Sequence, residues 1–224
     1  MIEAILPPSV ASAWTTDASL DAPLYREEAL ALGRAVEKRR REFVTGRACA
    51  RQALARLGLP PRSVPSGPRG EPVWPQGVVG SITHCRGYVA CAVASDDTLG
   101  AIGIDAEPHA GLSEDMVREI LTAAEIRRLN DLCADVHWER VSFSAKEALY
   151  KAWFALTGRS LGFHDVELTL DGAGDRFVAQ LRTPGASFSR FEGRWLVRDG
   201  LTLTAVVVPR SGARGPGGCC TSEP

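Results

Sequence analysis

Two short patterns offer residues for phosphate and metal chemistry. A predicted strand ends in the stretch GAIGIDAEPH, where Asp105 and Glu107 share one face because strand side chains alternate. A predicted helix contains FSAKEALYKAW, which carries Lys146, Glu147 and Lys151, and so two of the three lysines in the chain. Three carboxylates would suit a hard divalent ion such as Mg²⁺, and the lysines would neutralise phosphate oxygens.

Each pattern also has an ordinary structural interpretation. Two acids near a strand end are often a solvated surface. Glu147 and Lys151, four residues apart, could form a surface ion pair worth about 0.3–0.5 kcal/mol. However, Phe143, Trp153 and their neighbours make most of this helix apolar, so it should be substantially buried. Buried charges need partners, and this favours a joint site over two unrelated surface features.

Three further stretches could contact a phosphorylated ligand. The segment GSITHC places Thr83 and His84 just before a predicted strand, where both side chains could hydrogen-bond a phosphate. The segment EKRRREFVTGR offers Arg39 and Arg47, which would otherwise be a solvated helix face. The loop SGPRGEPVWP offers Arg69 close to a tryptophan, a combination suited to an anionic or planar group.

The order of predicted elements indicates an α+β fold. Predicted helices cover about Tyr25–Glu37, 40–58, Met116–Leu121, Ala123–Leu132 and a long segment that ends at Gly158. Predicted strands are Glu3–Leu6, Tyr88–Ser95, Leu99–Glu107, Val166–Leu170, Phe177–Leu181, Trp195–Arg198 and Leu201–Pro209. We therefore expect two similar halves, residues 1–108 and 109–210, followed by a disordered glycine-rich tail over 211–224.

Composition limits the classes of function. The chain has 224 residues, 45% hydrophobic and 24% charged, which is typical of a soluble globular protein. With a net charge of −1, the protein as a whole does not attract nucleic acid or an anionic membrane electrostatically. Any basic binding surface must therefore be local. No apolar run could span a bilayer, and the N-terminus is unlike a signal peptide. We expect a cytoplasmic protein.

Taken together, these patterns resemble the 4′-phosphopantetheinyl transferases of the Sfp/EntD-like type. The resemblance rests on GIDAE (103–107) and FSAKEALYK (143–151), which match the two signature motifs of that family. It is reinforced by REFVTGRACARQAL (41–54), GEPVWPQGVVGSITHC (70–85) and ILTAAEIRRL (120–129), in the same order. The resemblance implies two α+β halves related by a pseudo-twofold, with the active site in the cleft between them.

The resemblance also implies a reaction and its residues. The expected reaction is Mg²⁺-dependent transfer of 4′-phosphopantetheine from coenzyme A to a serine of an apo acyl, peptidyl or aryl carrier protein. The transfer would release 3′,5′-ADP and activate the fatty-acid, polyketide or nonribosomal peptide synthase that contains the carrier. By match to the family, Asp105, Glu107 and Glu147 bind the metal, and Glu147 and Lys151 are catalytic. The residues expected to contact coenzyme A are Arg39, Arg47, Arg69, Thr83, His84, Lys146 and Lys151.

Some details depart from the family or stay open. Glu125 matches a further acid near the site, and Ser66 stands where close relatives place a basic residue, which leaves Arg69 as its substitute. Arg118, Arg127 and Arg128 are candidates for docking an acidic carrier. A metal-dependent nuclease and a non-catalytic coenzyme A-binding module are the alternative functions. We expect a monomer with no nucleic-acid or membrane partner.

Overall fold

The structure is a computed structural model that describes residues 1–17, 22–33, 35–182 and 190–210. The described residues form five α-helices and two antiparallel sheets, which confirms the predicted α+β class. The strands are β1 (Ala11–Thr15), β2 (Val78–Cys85), β3 (Tyr88–Ser95), β4 (Leu99–Pro108), β5 (Val166–Leu170), β6 (Arg176–Leu181), β7 (Arg190–Arg198) and β8 (Leu201–Pro209). The helices are α1 (Arg26–Leu32), α2 (Glu37–Arg56), α3 (Glu114–Ile120), α4 (Ala123–Leu129) and α5 (Trp138–Thr157). None of the described helices is sufficiently long and apolar to cross a bilayer.

The first sheet has three strands in the order β1–β3–β2 and is covered by helix α2. Strand β3 is apolar along nearly its whole length because both of its faces are buried. One face packs with Cys49, Ala53 and Leu54 of α2. The other face packs against Ile102 and Ile104 of β4, so the two sheets share a core.

The second sheet has five strands in the order β4–β8–β7–β6–β5 and is covered by helix α5. Ala145, Ala148 and Ala152 recur at helical spacing and are fully buried against this sheet. These small side chains let the α5 backbone approach β4 closely at Gly103. The charged residues of α5 are therefore held next to the end of β4.

The two sheets meet where β2 lies beside β4, and they do not share a backbone hydrogen-bond ladder there. In place of such a ladder, two side-chain hydroxyls of β2 accept hydrogen bonds from backbone N–H groups of β4. Ser81 Oγ accepts from the N–H of Ile104, and Thr83 Oγ1 accepts from the N–H of Ala106, both at 3.1 Å. The junction thus fixes the part of β4 that carries Asp105.

Several predicted elements differ from the observed ones. The predicted strand at Glu3–Leu6 is wrong, because Ile2–Ile5 form a 3-10 helix whose two isoleucines, three residues apart, share one buried face. The segment GSITHC precedes strand β3, as was predicted, but it also belongs to strand β2, which was not predicted. Strand β1 was not predicted, and β7 begins at Arg190, five residues before the predicted start at Trp195.

The predicted division of the chain remains a prediction. One long helix covers each antiparallel sheet, but β4, which precedes residue 109, pairs with β8 in the five-stranded sheet, so that sheet contains strands from both predicted halves. The boundaries 1–108 and 109–210 and the pseudo-twofold are not tested by this arrangement alone. The predicted disordered tail, 211–224, lies outside the described residues.

Replacing Gly103 should destabilise the protein strongly. A Cβ atom at Gly103 would overlap the Ala148 carbonyl oxygen and lie 2.8 Å from the Ala152 nitrogen. Since both obstacles are helix backbone, Gly103→Ala should lower the free energy of unfolding by about 3 kcal/mol or more, measured in urea. Gly100→Ala in the same strand is the control, because the nearest atoms there are 3.5 Å away. Equal effects of the two substitutions would contradict the proposed close contact.

Candidate active site

Asp105 lies at the centre of the site, at the junction of the two sheets. It is 5% exposed and accepts hydrogen bonds from three side chains. Lys151 Nζ donates to Oδ1 at 2.7 Å, Thr83 Oγ1 donates to Oδ1 at 3.3 Å, and Ser144 Oγ donates to Oδ2 at 2.9 Å. Residues of β2 and α5 therefore position one carboxylate of β4.

Glu107 lies two residues further along β4 and forms an ion pair with Arg140. The distance between Arg140 Nη1 and Glu107 Oε2 is 3.2 Å, and Arg140 Nε also donates to the Ala110 carbonyl at 2.9 Å. Burial and the neighbouring Asp105 raise the pKa of Glu107 to about 6, although Arg140 and Lys151 act in the opposite direction. The cations present do not fully compensate this carboxylate.

Glu147 completes a cluster of three acids. Burial and then the charge of Asp105 raise its pKa, and Lys151, one helical turn away, partly offsets this. Lys151 Nζ itself donates to Asp105 and to the Ile104 carbonyl at 2.9 Å. The structure thus brings together the predicted residues Asp105, Glu107, Glu147 and Lys151. Lys151 contacts Asp105, and its charge lowers the pKa values of the other two acids.

The acid cluster fits Mg²⁺ by its donor chemistry. Carboxylate oxygens are the ligands that this ion prefers. Burial, followed by the repulsion from Asp105, raises the pKa values of Glu107 and Glu147, and a bound cation would offset both effects. Among the residues that the structure describes, however, no group of three or more His, Cys, Asp or Glu side chains could hold a metal as they stand. In the observed arrangement, Lys151 forms an ion pair with Asp105.

The predicted phosphate contact of Lys146 needs correction. Lys146 is 3% exposed, and its ammonium donates to Glu125 Oε2 at 2.9 Å and to the carbonyls of Ile120, Phe163 and Val166. It faces away from the acid cluster because adjacent helical residues are rotated by about 100° from each other. Burial lowers the pKa of Lys146, and Glu125 opposes this.

Glu125 has a structural role as well. Its carboxylate accepts from the N–H of Thr122 at 2.7 Å and from the N–H of Leu168 at 2.7 Å, in addition to Lys146. It therefore caps helix α4 and ties that helix to β5. All these partners lie outside the acid cluster, and the expectation that Glu125 lies near the site stays a prediction.

Arg39 and His84 are brought together from α2 and β2. Arg39 Nη1 lies 3.1 Å from His84 Nε2, and Glu42 Oε2 lies 3.8 Å from both Arg39 Nη1 and His84 Nδ1. Burial lowers the pKa of His84, as do the charges of Arg39 and Lys151, while Glu42 raises it. His84 is partly exposed, and Lys151 and Asp105 of the acid cluster both influence its pKa.

Thr83 and Arg47 are already engaged within the protein. The only hydroxyl proton of Thr83 points to Asp105, so it is not free for a phosphate. Arg47 is 5% exposed, donates to the Val64 carbonyl at 2.6 Å and to Ser66 Oγ at 3.0 Å, and stacks on Phe43. Burial lowers its pKa to about 10. Their predicted contacts with coenzyme A stay predictions, and both side chains have structural partners.

Arg69 lines a cavity of about 420 Å³ next to Lys151. Its guanidinium lies 5.3 Å from the centre of the Phe154 ring, and Nη1 donates to Ser160 Oγ at 3.0 Å. Trp74 lines the same cavity and donates to the Gly80 carbonyl at 3.0 Å. Charged, aromatic and backbone groups thus surround a space that opens beside the acid cluster.

Three residues of the site were not singled out from the sequence: Arg140, Ser144 and Glu42. Ser144 had a detectable signal, since it is a small polar residue on the buried face of an otherwise apolar helix. Arg140 and Glu42 had none, because each is a common charged residue on a helix. Their partners come from distant parts of the chain.

Comparison with known proteins identifies the family. The model of the 4′-phosphopantetheinyl transferase N-terminal domain matches residues 26–94, and that of the 4′-phosphopantetheinyl transferase superfamily matches residues 101–204. The chain belongs to the 4′-phosphopantetheinyl transferase superfamily. The family and the enzyme class predicted from the sequence are therefore confirmed.

Individual relatives cover most of the chain. The 4′-phosphopantetheinyl transferase Npt of Nocardia iowensis is 44% identical over 92% of this chain and 99% of its own length. The transferase Svp of Streptomyces mobaraensis is 45% identical over 93% of this chain and 89% of its own length. Enterobactin synthase component D of Escherichia coli K12 is 37% identical over 54% of this chain and 58% of its own length.

Glu107 should make stability depend on pH. Its folded-state pKa of about 6 lies above the ordinary value of 4.5, so the folded protein binds this proton more tightly than the unfolded chain. The free energy of unfolding should therefore rise as pH falls through this window, by up to about 2 kcal/mol from this group.

The measurement is the difference in free energy of unfolding between the wild type and Glu107→Gln from about pH 7.5 down to about pH 4. The wild type should gain stability relative to the variant as pH falls. Glu114→Gln is the control, since the Glu114 side chain is 87% exposed. A difference that is independent of pH would show that Glu107 has an ordinary pKa.

Proposed function

We propose that the protein transfers the 4′-phosphopantetheine group of coenzyme A to a serine of an apo carrier protein, with Mg²⁺ as cofactor and 3′,5′-ADP as the second product. The observation that carries this proposal is the cluster of Asp105, Glu107 and Glu147 around Lys151, at the sheet junction and beside a cavity. Membership of the transferase superfamily supports it.

The three acids would hold the metal, and Lys151 would bind the phosphate oxygens. When bound, Mg²⁺ would neutralise the pyrophosphate and draw charge from the phosphorus that is attacked. Lys151 is 27% exposed and lines the cavity, so its ammonium can turn from Asp105 to the phosphate oxygens and stabilise the departing 3′,5′-ADP.

We propose that Glu147 accepts the proton of the attacking serine. Within the described residues no hydrogen bond or ion pair engages its carboxylate, so an oxygen that the metal does not use could accept the proton. Glu107, by contrast, is paired with Arg140. Of these two acids, Glu147 is therefore the freer to accept a proton.

Coenzyme A would lie across the junction of the two sheets. The pair Arg39 and His84 is partly exposed beside the acids and suits the phosphates of the nucleotide end. The cavity lined by Arg69 and Trp74 suits a flat or apolar part of the ligand. Lys151 lies next to both, which would place the pyrophosphate between them.

The carrier protein would bind near helices α3 and α4. Carriers of this kind are usually acidic, and the exposed Arg118 and Arg127 lie on these helices. Arg118, which pairs with Glu114 and Asp115 on its own helix, also lines an open cavity of about 660 Å³ with Ile126 and Arg182. The relative named enterobactin synthase component D makes a peptidyl or aryl carrier a candidate beside the acyl carriers. The monomeric state and the cytoplasmic location stay predictions.

A direct assay tests the proposed function. The purified chain is mixed with coenzyme A, Mg²⁺ and a set of apo acyl, peptidyl and aryl carriers, and each carrier is weighed by mass spectrometry. We expect a phosphopantetheine adduct that requires the carrier serine and disappears when the metal is chelated. If no carrier acquires the adduct, the proposal is wrong.

Glu147→Gln tests the assignment of the base. The substitution keeps the size of the side chain and removes its ability to accept a proton, so turnover should fall by about 10²- to 10⁴-fold. Circular dichroism and the unfolding midpoint should stay close to those of the wild type. Glu192→Gln is the matched control, because Glu192 pairs only with the exposed Arg190 among the described residues. Unchanged turnover of Glu147→Gln would remove Glu147 from the mechanism.

A further inference from the structure

Two buried hydroxyls connect to Asp105 in series. Ser144 Oγ donates to Asp105 Oδ2 at 2.9 Å, and Thr204 Oγ1 lies 2.8 Å from both the hydroxyl and the carbonyl oxygen of Ser144. Both residues are 0% exposed. Thr204 lies directly opposite Asp105 in the ladder between β4 and β8. The proposed reaction uses neither residue.

The direction of these hydrogen bonds follows from the number of protons. A carboxylate can only accept, so the single hydroxyl proton of Ser144 points to Asp105. The proton in the contact between the two hydroxyls must then come from Thr204, which shares it with the Ser144 carbonyl oxygen. Thr204 thereby fixes the rotation of the Ser144 hydroxyl, and Ser144 fixes the carboxylate.

Ser144 differs in this respect from Ser142, its neighbour on the same helix. Ser142 is also buried, but its hydroxyl donates to the Trp138 carbonyl one turn back, a common local bond in a helix. Ser144 instead connects two other elements, β4 and β8. Its hydrogen bonds therefore help to hold Asp105 in place.

Asp105 has few acceptor positions left. A carboxylate offers about four lone-pair directions. Lys151 and Thr83 use those of Oδ1, and Ser144 uses one of Oδ2. The Ser144 bond therefore determines the direction in which the remaining lone pair of Oδ2 points.

We infer that Ser144 and Thr204 are positioning residues that preorganise Asp105 to bind a divalent cation. The inference rests on the proposed use of Asp105 as a metal ligand. Groups that hydrogen-bond a ligating side chain change metal affinity by about 10- to 100-fold when they are removed. Thr204 acts through Ser144 and touches neither the cation nor the substrate.

The test measures binding of Mn²⁺, as a probe for Mg²⁺, to the full chain without coenzyme A, by titration calorimetry. Thr204→Val keeps the shape of the side chain and removes its donor, so the Kd for Mn²⁺ should rise about 10-fold. Ser144→Ala should raise it by at least as much, and Thr204→Ser should restore wild-type affinity. Ser142→Ala, the matched control, should change it less than about twofold. Unfolding midpoints are measured for each variant.

The possible results separate the two proposals. If the wild type transfers phosphopantetheine and binds Mn²⁺, and Thr204→Val and Ser144→Ala bind it equally well, only the inference is overturned. The same holds if Thr204→Ser restores the unfolding midpoint but not the affinity, because the role of Thr204 is then structural. If the wild type binds no Mn²⁺, the proposed metal use of Asp105 and the inference fail together.

Discussion

The carboxylate of Asp105 is a buried negative charge, and most of the site serves to make its burial possible. A charge at 5% exposure requires donors, and these come from β2, α5 and, indirectly, β8. The junction between the two sheets is built accordingly. The hydroxyl of Thr83 both accepts from the β4 backbone and donates to Asp105, so one side chain joins the sheets and compensates the charge.

The close packing of α5 on β4 follows from this requirement. Lys151 and Ser144 reach Asp105 only because the helix backbone lies against Gly103, and the buried alanines of α5 allow that distance. The same rigid arrangement leaves Glu107 and Glu147 with raised pKa values, since burial and mutual repulsion exceed the compensation from nearby cations. Such uncompensated charge costs stability and is typical of a site that binds a cation.

The two lysines of α5 illustrate how neighbouring residues acquire different roles. Lys151 is partly exposed and shared among the acids of the site, whereas Lys146 is buried in an ion pair with Glu125. A buried pair of this kind gains little net stability, but removing one partner is costly. Lys146 thus holds α4 and β5 against α5.

The sequence alone determined the chemistry that depends on local spacing. The alternation in a strand put Asp105 and Glu107 on one face, the helical period put Glu147 with Lys151, and the motifs indicated the family. Only the tertiary structure decided which polar groups are already satisfied by partners distant in sequence. In the folded protein, Lys146 faces away from the site, and the hydroxyls of Thr83 and Ser144 both donate to Asp105. The reason is that local periodicity determines on which face of a helix or strand a side chain lies. The packing of helices and strands against each other determines which residues that side chain contacts.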